Sequence, residues 1–439
     1  MSESWNRRTW RIAWPIMVSN VSIPILGAVD MAVVGRLPGP QYLGAVAVGA
    51  VTFTVIYHSL LFLRMGTTGL AAQALGAGQP DEVRAVLGRS GLLALAMGAA
   101  LILLQWPILW TSLALISPAP EVGTLAADYV SIRIWGAPVA LFNYALVGWF
   151  FGIQNPRAAL VMQVSMNGLN IALDLWFVSG LGWGVSGVAW ATLISEVSAI
   201  VIGLSLASRH LKAIGGSREW ARVRDGARMK RTFRINGDIF VRSIVLQLSF
   251  AAITAIGARI GQVTLAANAI LFNLLVFSAY FLDGFSNAAS AMVGQALGAR
   301  DKASFTEAVK AAGRGAVVAG MLVSLVYLIA GTTIIDTMTT VATVRTEARA
   351  YLPWAVAMPM VAVWSFLLDG VFIGCTWTRE MRNGMIQSSA IYAIALAFLV
   401  SLFGNHGLWL AVAIFLAARA VTLYLRFPRL VRTIDQETM

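Results

Sequence analysis

Long apolar runs recur along the whole chain and constrain its fold more than any other feature. Each exceeds about 20 residues, which is long enough for an α-helix to cross a bilayer, whereas a barrel strand needs about ten residues of alternating polarity. Of the 439 residues, 58% are hydrophobic and only 12% are charged. Because soluble domains rarely combine these values, the sequence predicts an all-α integral membrane protein.

The breaks between the runs predict twelve transmembrane helices. The first is too long for a signal peptide and another span follows at once, so we expect it to be retained. The predicted spans are 10–36, 42–76, 84–114, 122–153, 157–180, 184–208, 232–258, 264–298, 302–332, 340–374, 380–403 and 406–426.

The net charge of +12 is interpreted through this topology. When the spans alternate in direction, most of the 32 lysines and arginines fall on the side that carries both termini. By the positive-inside rule, that side is cytoplasmic. The basic excess then reflects topology and attraction to anionic lipid, so we expect membrane lipid and not nucleic acid as a partner.

The two halves of the sequence repeat. The segment AQALGAG at 72–78 matches GQALGAR at 294–300, an offset of 222 positions. The repeat predicts an amino-terminal six-helix lobe at 1–208, a basic cytoplasmic linker at 209–231 and a carboxyl-terminal six-helix lobe at 232–439. Because six is even, the two copies insert as parallel repeats, an architecture that commonly supports alternating access. Further pairs at this offset are Gly35 and Gly257, Gly148 and Gly370, Gly152 and Gly374, and Gly182 and Gly404.

Acidic residues inside the spans have no acidic counterpart in the other half. A carboxylate there costs about 3 kcal/mol on insertion scales, so each requires a local reason. These residues are Asp30, Asp174, Asp238, Asp283 and Asp369.

Asp30 and Asp174 have matching depths. They precede the predicted ends of helices 1 and 5 by six residues each, which places each about 9 Å below the outer surface. Gln163, Asn167 and Asn170 precede Asp174 at helical spacing and form one polar stripe with it. Side chains of helices 4 and 6 are candidates to line the same region: Asn143, Tyr144, Thr192 and Glu196.

Two interpretations of this region remain open. Gln163 and Asn167 can join helices by hydrogen bonds without any further role. For Asp30 and Asp174 a proton or cation site is favoured, because two nearby carboxylates repel and the pair can hold a shared proton. Pro15 and Pro24 interrupt the hydrogen bonding of helix 1, which predicts a bend on the way to Asp30.

The carboxyl-terminal acids have a different setting. Asp238 precedes Arg242 by one turn, the spacing of an intrahelical ion pair. Asp238, Asp283 and Asp369 are a candidate second site facing Arg242. In the first half, Arg64, Arg133 and Glu196 could instead neutralise one another.

Catalytic and metal-binding motifs are not apparent. The single cysteine precludes an internal disulfide, three scattered histidines do not indicate a metal site, and no phosphate loop or nucleophile motif appears. We therefore expect a protein that is not an enzyme, has no cofactor and no metal, and is a monomer.

Several motifs together resemble those of the multidrug and toxic compound extrusion (MATE) transporters, and within them the damage-inducible DinF-type branch. They are WPIMVSN at 14–20, GAVDMAVVGRL at 27–37, LRMGTTGLAAQALGAG at 63–78, NGLNIALDLWFVSGLGWGVSGVAWAT at 167–192 and LDGVFIGCT at 368–376.

The resemblance implies a multidrug efflux antiporter of the bacterial cytoplasmic (inner) membrane. It would export amphipathic, often cationic, compounds in exchange for protons, with sodium ions as the alternative coupling ion. Asp30, Asn170 and Asp174 match the family's amino-lobe ion site, Thr192 matches a hydroxyl that joins it, and Pro15 matches a proline associated with bending. Asp238 and Asp369 lie near the positions of a carboxyl-lobe sodium site in some members.

Other classes remain as alternatives. Lipid-linked oligosaccharide flippases have a similar architecture and bind pyrophosphate with basic residues, for which Arg64, Arg133 and Arg242 are candidates. A membrane scaffold gives no reason for acids that lack counterparts in the repeat. A major-facilitator carrier shares the helix count but not the repeat motif.

Overall fold

The computed structural model describes residues 4–217 and 219–436, which form helices and no strand. In the first half these are α1 (Trp5–Val34), α2 (Pro40–Ser59), α3 (Phe62–Gly76), α4 (Pro80–Leu103), α5 (Gln105–Ile116), α6 (Pro120–Arg133), α7 (Ala137–Gly152), α8 (Pro156–Asp174) and α9 (Gly184–Ile214). In the second half they are α10 (Trp220–Val223), α11 (Gly226–Ile260), α12 (Gln262–Gly298), α13 (Lys302–Met338), α14 (Ala342–Gly374), α15 (Thr378–Tyr424) and α16 (Phe427–Gln436).

The fold is that of an all-α membrane protein, as the apolar runs predict. Eleven helical segments in the described chain are long and apolar enough to cross a membrane. The last of them contains Gly404, whose φ of 55° and ψ of −128° break α15 in two. The predicted spans 380–403 and 406–426 are the arms on either side of this break.

Glycine is required at this break and at the same place in the other half. Gly182, 222 positions earlier, has a φ of 69° and precedes α9. Both residues are in the left-handed region, where a side chain would be strained. The repeat therefore preserves a turn as well as a sequence match.

The helix boundaries repeat with the same offset. The span Pro40–Gly76 corresponds to α12 at Gln262–Gly298, and the span Pro120–Gly152 corresponds to α14 at Ala342–Gly374. Each pair begins and ends 222 positions apart. The duplication inferred from short sequence matches is thus present in the architecture.

Paired glycines pack in the same way in both copies. A Cβ atom on Gly148 would lie 2.2 Å from the carbonyl oxygen of Arg64, and one on Gly370 would lie 2.1 Å from that of Ser286. Arg64 and Ser286 are also 222 positions apart. Close backbone approach at small residues is a common way for membrane helices to associate, and here both copies use it.

Three predicted helices of the first half are interrupted. The predicted helix 42–76 breaks between Ser59 and Phe62, 84–114 breaks at Leu104, and 122–153 contains a 3₁₀ turn at Ile134–Gly136. Pro107 and Pro138 follow the second and third breaks, and each lacks the N–H that would bond the carbonyl four residues earlier.

Contacts divide the chain into two compact units. The amino-terminal unit comprises Val18–Leu75 and Gln79–Phe233, and the carboxyl-terminal unit comprises Met1–Met17, Gly76–Gly78 and Arg234–Met439. In the former, α4 packs against α7 and α8 packs against α9. In the latter, α14 packs against α12, α13 and α15.

The segment 209–231, predicted as a linker, packs against α4. Arg84 Nε donates to the Gly215 carbonyl at 2.6 Å, and Arg89 Nη1 donates to the Arg222 carbonyl at 2.8 Å. Arg218 of this segment lies outside the described residues. So do residues 1–3 of the predicted amino-terminal lobe and residues 437–439 of the predicted carboxyl-terminal lobe.

Candidate functional site

Two carboxyl groups meet in the amino-terminal unit. Asp30 on α1 and Asp174, the last residue of α8, lie within hydrogen-bonding distance of each other. Asp174 is fully buried, and no N–H or O–H group in the described chain donates to its Oδ1 atom. Because two carboxylates cannot hydrogen-bond without a donor, a proton shared between them would make this contact favourable.

Asn170 connects this pair to α9. Its amide group lies 3.1 Å from Asp174 Oδ2 and 3.3 Å from Thr192 Oγ1, and is oriented so that its nitrogen donates to the carboxylate. Thr192 Oγ1 also lies 2.9 Å from the Val188 carbonyl. Asp30, Asn170, Asp174 and Thr192, which the sequence proposes as one site, are therefore brought together across three helices.

The remainder of the polar stripe on α8 faces α1. Gln163 Nε2 donates to Asn167 Oδ1 at 3.0 Å, and Asn167 Nδ2 donates to Ser22 Oγ at 2.9 Å. These bonds are the interhelical contacts that one of the two interpretations of Gln163 and Asn167 predicts. Ser22 precedes Asp30 by eight residues and lies on the same face of α1.

A short wide-turn helical segment, Leu175–Gly180, directly follows Asp174. Such π turns add one residue to the helical turn and occur frequently at functional sites. Asp174 therefore lies where the regular helix ends.

A second polar cluster lies in the same unit. Arg133 Nη1 and Glu196 Oε1 are 3.0 Å apart, and both side chains are buried. The Arg133 guanidinium lies 5.1 Å from the ring centre of Phe53, and Asn143 Nδ2 donates to the Glu196 carbonyl at 3.0 Å. Arg133 is also near enough to Asp30 to act on it electrostatically.

Tyr144 is the other predicted residue of the span 122–153 and lies on α7. It packs edge-on against Tyr57, with ring centres 6.5 Å apart. It is close enough to Arg64 for an electrostatic interaction. Asn143 and Tyr144 both belong to α7, which lies within the predicted span 122–153. This helix thus supplies both predicted side chains to the second cluster and its surroundings.

The prediction that Asp238 pairs with Arg242 is wrong. Asp238 Oδ1 accepts from Arg382 Nη1 at 2.6 Å, and Asp238 Oδ2 accepts from Thr378 Oγ1 at 3.1 Å. Both partners belong to α15. One turn of helical spacing brings two side chains near each other, but the buried neighbours on another helix determine which groups pair.

Arg242 instead reaches Asp369 on α14. Asp369 Oδ2 accepts from Arg242 Nη2 and, at 2.6 Å, from Arg419 Nη2. All three side chains are buried. Asp238 and Asp369 therefore have separate arginine partners, while Asp283 lies on α12 in electrostatic range of Tyr280.

Pro15 and Pro24 lie inside α1, which remains helical from Trp5 to Val34. The prolines thus leave the helix continuous, although each removes one backbone hydrogen bond.

Sequence reasoning did not identify Ser22 and Arg419. The helical spacing of Ser22 and Asp30 would have suggested the first. Arg419 is one of four arginines that the predicted topology leaves inside spans, and its position there was the available signal.

The duplicated helical architecture and the carboxyl pair define a two-lobed membrane transporter. The protein-family model described as MatE matches residues 15–176 and matches again at residues 239–399. The chain belongs to this family.

Individual relatives agree with this assignment. The chain is 44% identical to "DNA damage-inducible protein F" of Escherichia coli (strain K12) over 420 residues, which are 96% of this chain and 91% of that protein. It is 26% identical to "Probable multidrug resistance protein NorM" of Caulobacter vibrioides, covering 92% and 84% of the two chains.

Solved structures match the fold along its length. One described as "Crystal structure of MATE in the bent conformation" has a TM-score of 0.88 at 19% identity and covers 99% of this chain and 97% of that chain. One described as MATE "in the straight conformation" also gives 0.88, at 18% identity, with 99% and 98% covered. The protein is thus a multi-pass membrane transporter of a multidrug efflux family, located in the bacterial cytoplasmic membrane.

Proposed function

We propose that the protein exports amphipathic or cationic compounds in exchange for protons by alternating access. The observation that carries this proposal is the contact between Asp30 and Asp174. A proton can bind between the two carboxyl groups and leave again, and the presence of that proton changes their mutual repulsion.

Protons rather than sodium ions are favoured by the arginine partners in the carboxyl-terminal unit. Asp238 is paired with Arg382, and Asp369 with Arg242 and Arg419. A cation at either carboxylate would have to compete with a guanidinium group that is already in place. The amino-terminal pair has no such partner in direct contact among the described residues.

Helix α1 is the element through which protonation would act. It carries Asp30, and it contains two prolines that lower the number of its backbone hydrogen bonds. We infer that loss of the proton separates Asp30 from Asp174 and changes the curvature of α1. The bent and straight conformations of MATE described among the solved neighbours support a fold with two conformations.

The remaining assignments belong to the same proposal. Both termini lie in the cytoplasm, because most basic residues fall on their side of the predicted topology. The protein works as a monomer in contact with membrane lipid and needs no cofactor other than the coupling ion.

The flippase alternative depended on Arg64, Arg133 and Arg242 being available for pyrophosphate. In the structure, Arg133 is paired with Glu196 and Arg242 with Asp369. These pairings support efflux over lipid-linked sugar transport.

Dye efflux from everted vesicles under separate proton and sodium gradients tests the proposal. We expect a proton gradient to drive efflux in the intact protein and Asp30→Asn to abolish it. Asp128→Asn is the matched control, because Asp128 is an exposed acid of the same unit. Unchanged efflux and pH dependence in Asp30→Asn would refute the role of Asp30. Binding of lipid-linked sugar without dye efflux would favour the flippase.

A further inference from the structure

A basic cavity opens in the carboxyl-terminal unit at the beginnings of α11 and α15. Its volume is about 430 Å³, and Arg234, Asp238, Arg379 and Arg382 line it. It belongs to a different compact unit from the carboxyl pair of the proposed ion site. Three arginines with one aspartate give the cavity an excess of positive charge.

The single carboxylate is already engaged. Asp238 binds Arg382 through Oδ1 and Thr378 through Oδ2. In the described part of the chain, Arg234 and Arg379 form no ion pair. Two guanidinium groups are therefore available to a ligand that enters the cavity.

The repeat shows that the common scaffold does not require three of the four charged residues that line this cavity. At the positions 222 residues earlier, Ile12 corresponds to Arg234 and Ile16 corresponds to Asp238. Leu160 likewise corresponds to Arg382. The first copy builds the same helices with apolar residues at these three positions, so Arg234, Asp238 and Arg382 serve a purpose specific to the second copy, whereas Arg379 matches Arg157 in the first.

The surface beside the cavity is apolar. Val241 and Leu248 follow Arg234 at intervals of seven residues, so all three lie on one face of α11. Val241 is 39% exposed and Leu248 is 67% exposed. A ligand with a charged group in the cavity could place a hydrocarbon chain along this face.

The ligand chemistry follows from the charges. Arginine recognises phosphate through a planar set of N–H donors, and basic pockets between membrane helices on the cytoplasmic side bind phospholipid headgroups. The first N–H groups of α15, which begins at Thr378 without a side-chain cap, add to the positive field.

We propose that this cavity binds a phosphate group through Arg234 and Arg379, and that an anionic glycerophospholipid supplies it. Arg382, which is held by Asp238 and Asn383, adds positive charge beside the phosphate. Free phosphate shares the chemistry of the headgroup but cannot use the apolar face of α11. The two sources therefore differ in whether binding requires acyl chains.

Native mass spectrometry of the purified full chain can measure this binding. The probes are phosphatidylglycerol, phosphatidylcholine and inorganic phosphate. The test variant is the double substitution Arg234→Gln and Arg379→Gln. Arg259→Gln is the matched control, because Arg259 is exposed near the opposite end of the same helix. A double Arg→Lys variant at positions 234 and 379 retains the charge. It keeps the proposal testable if the double glutamine variant does not fold.

We expect phosphatidylglycerol to bind more tightly than phosphatidylcholine. The double glutamine variant should lose about fivefold in affinity for each charge removed, while the lysine variant and Arg259→Gln retain most of it. Binding of inorganic phosphate alone, lost in the same variant, would support the phosphate site and assign it to a soluble anion. Equal binding of the two lipids together with no phosphate binding, or wild-type affinity in the glutamine variant, would overturn the proposal.

Discussion

Asp30 and Asp174 bring two carboxyl groups into contact across α1 and α8. The contact joins residues 144 positions apart, and no described arginine or lysine forms an ion pair with either. Their protonation is therefore a shared property of the two carboxyl groups, on which Arg133 acts electrostatically through Asp30.

The first prediction concerns the non-additivity of the pair. Asp30→Asn and Asp174→Asn should each reduce proton-driven efflux at least about tenfold, and the double variant should be no worse than either single one, because one shared proton is lost in every case. Efflux from proteoliposomes after a pH jump measures this. Reductions that multiply in the double variant would show that the two acids act independently.

The second prediction concerns the buried ion pair of Arg133 and Glu196. Glu196→Gln should lower the free energy of unfolding by about 3 to 5 kcal/mol, because it leaves a buried guanidinium without its counter-charge. Replacing both residues, by Arg133→Met and Glu196→Gln, should cost less than the single change. Reversible unfolding in mixed micelles compares them. A double variant less stable than Glu196→Gln would contradict the pairing.

The third prediction concerns the repeated glycine contacts. Gly148→Ala and Gly370→Ala should each destabilise the fold by about 1 to 3 kcal/mol, because the added methyl group overlaps a backbone carbonyl. Gly168→Ala is the control, since a Cβ there meets nothing within 4 Å. Thermal unfolding in detergent gives the ranking. Equal stability of all three variants would contradict the close backbone contacts at Gly148 and Gly370.

The fourth prediction concerns the start of α13. Ser304 donates to Asp301 through Oγ at 2.5 Å and through N–H at 2.9 Å, and these bonds lower the pKa of the Asp301 carboxyl. Because the folded-state pKa is depressed, the stabilisation is present above the ordinary pKa of 3.8 and is lost as the pH falls through the lowered value.

Asp301→Ala should therefore speed amide exchange in the first turn of α13 at neutral pH, by an amount that corresponds to about 1 kcal/mol for a lost cap. Asp301→Ser should restore protection without the pH dependence. Hydrogen exchange with mass spectrometry, at several pH values, measures both. Identical protection of Asp301→Ala and the intact protein at neutral pH would exclude the cap.

The sequence predicted the helical class and the repeat because both depend on simple periodic patterns. Apolar runs set the number of spans, and a fixed offset of 222 positions was visible from matches such as Gly148 and Gly370. The break at Leu104 was missed, although Pro107 indicates it, because hydropathy is continuous through Pro107.

The candidate site could be predicted where its residues lie on one helix, because helical spacing alone shows which side chains share a face. Asn167, Asn170 and Asp174 lie on one face by spacing alone, and matched depth led to Asp30. The partners of Asp238 could not be predicted, since Arg382 is 144 positions away and its approach depends on how α11 and α15 pack. Helical spacing favoured Arg242, but tertiary packing assigned Arg242 to Asp369.

The interruptions at Leu60, Leu104 and Ile134–Gly136 occur in only one copy of the repeat. Their counterparts α12, α13 and α14 continue unbroken for 37, 37 and 33 residues. A helix that lacks backbone bonds at one level resists bending less there than an unbroken one. Duplication thus produced two copies of one plan that differ in continuity. The copy that carries the carboxyl pair is interrupted at three levels where its counterpart helices continue, although α14 also lacks backbone bonds at Pro353 and Pro359.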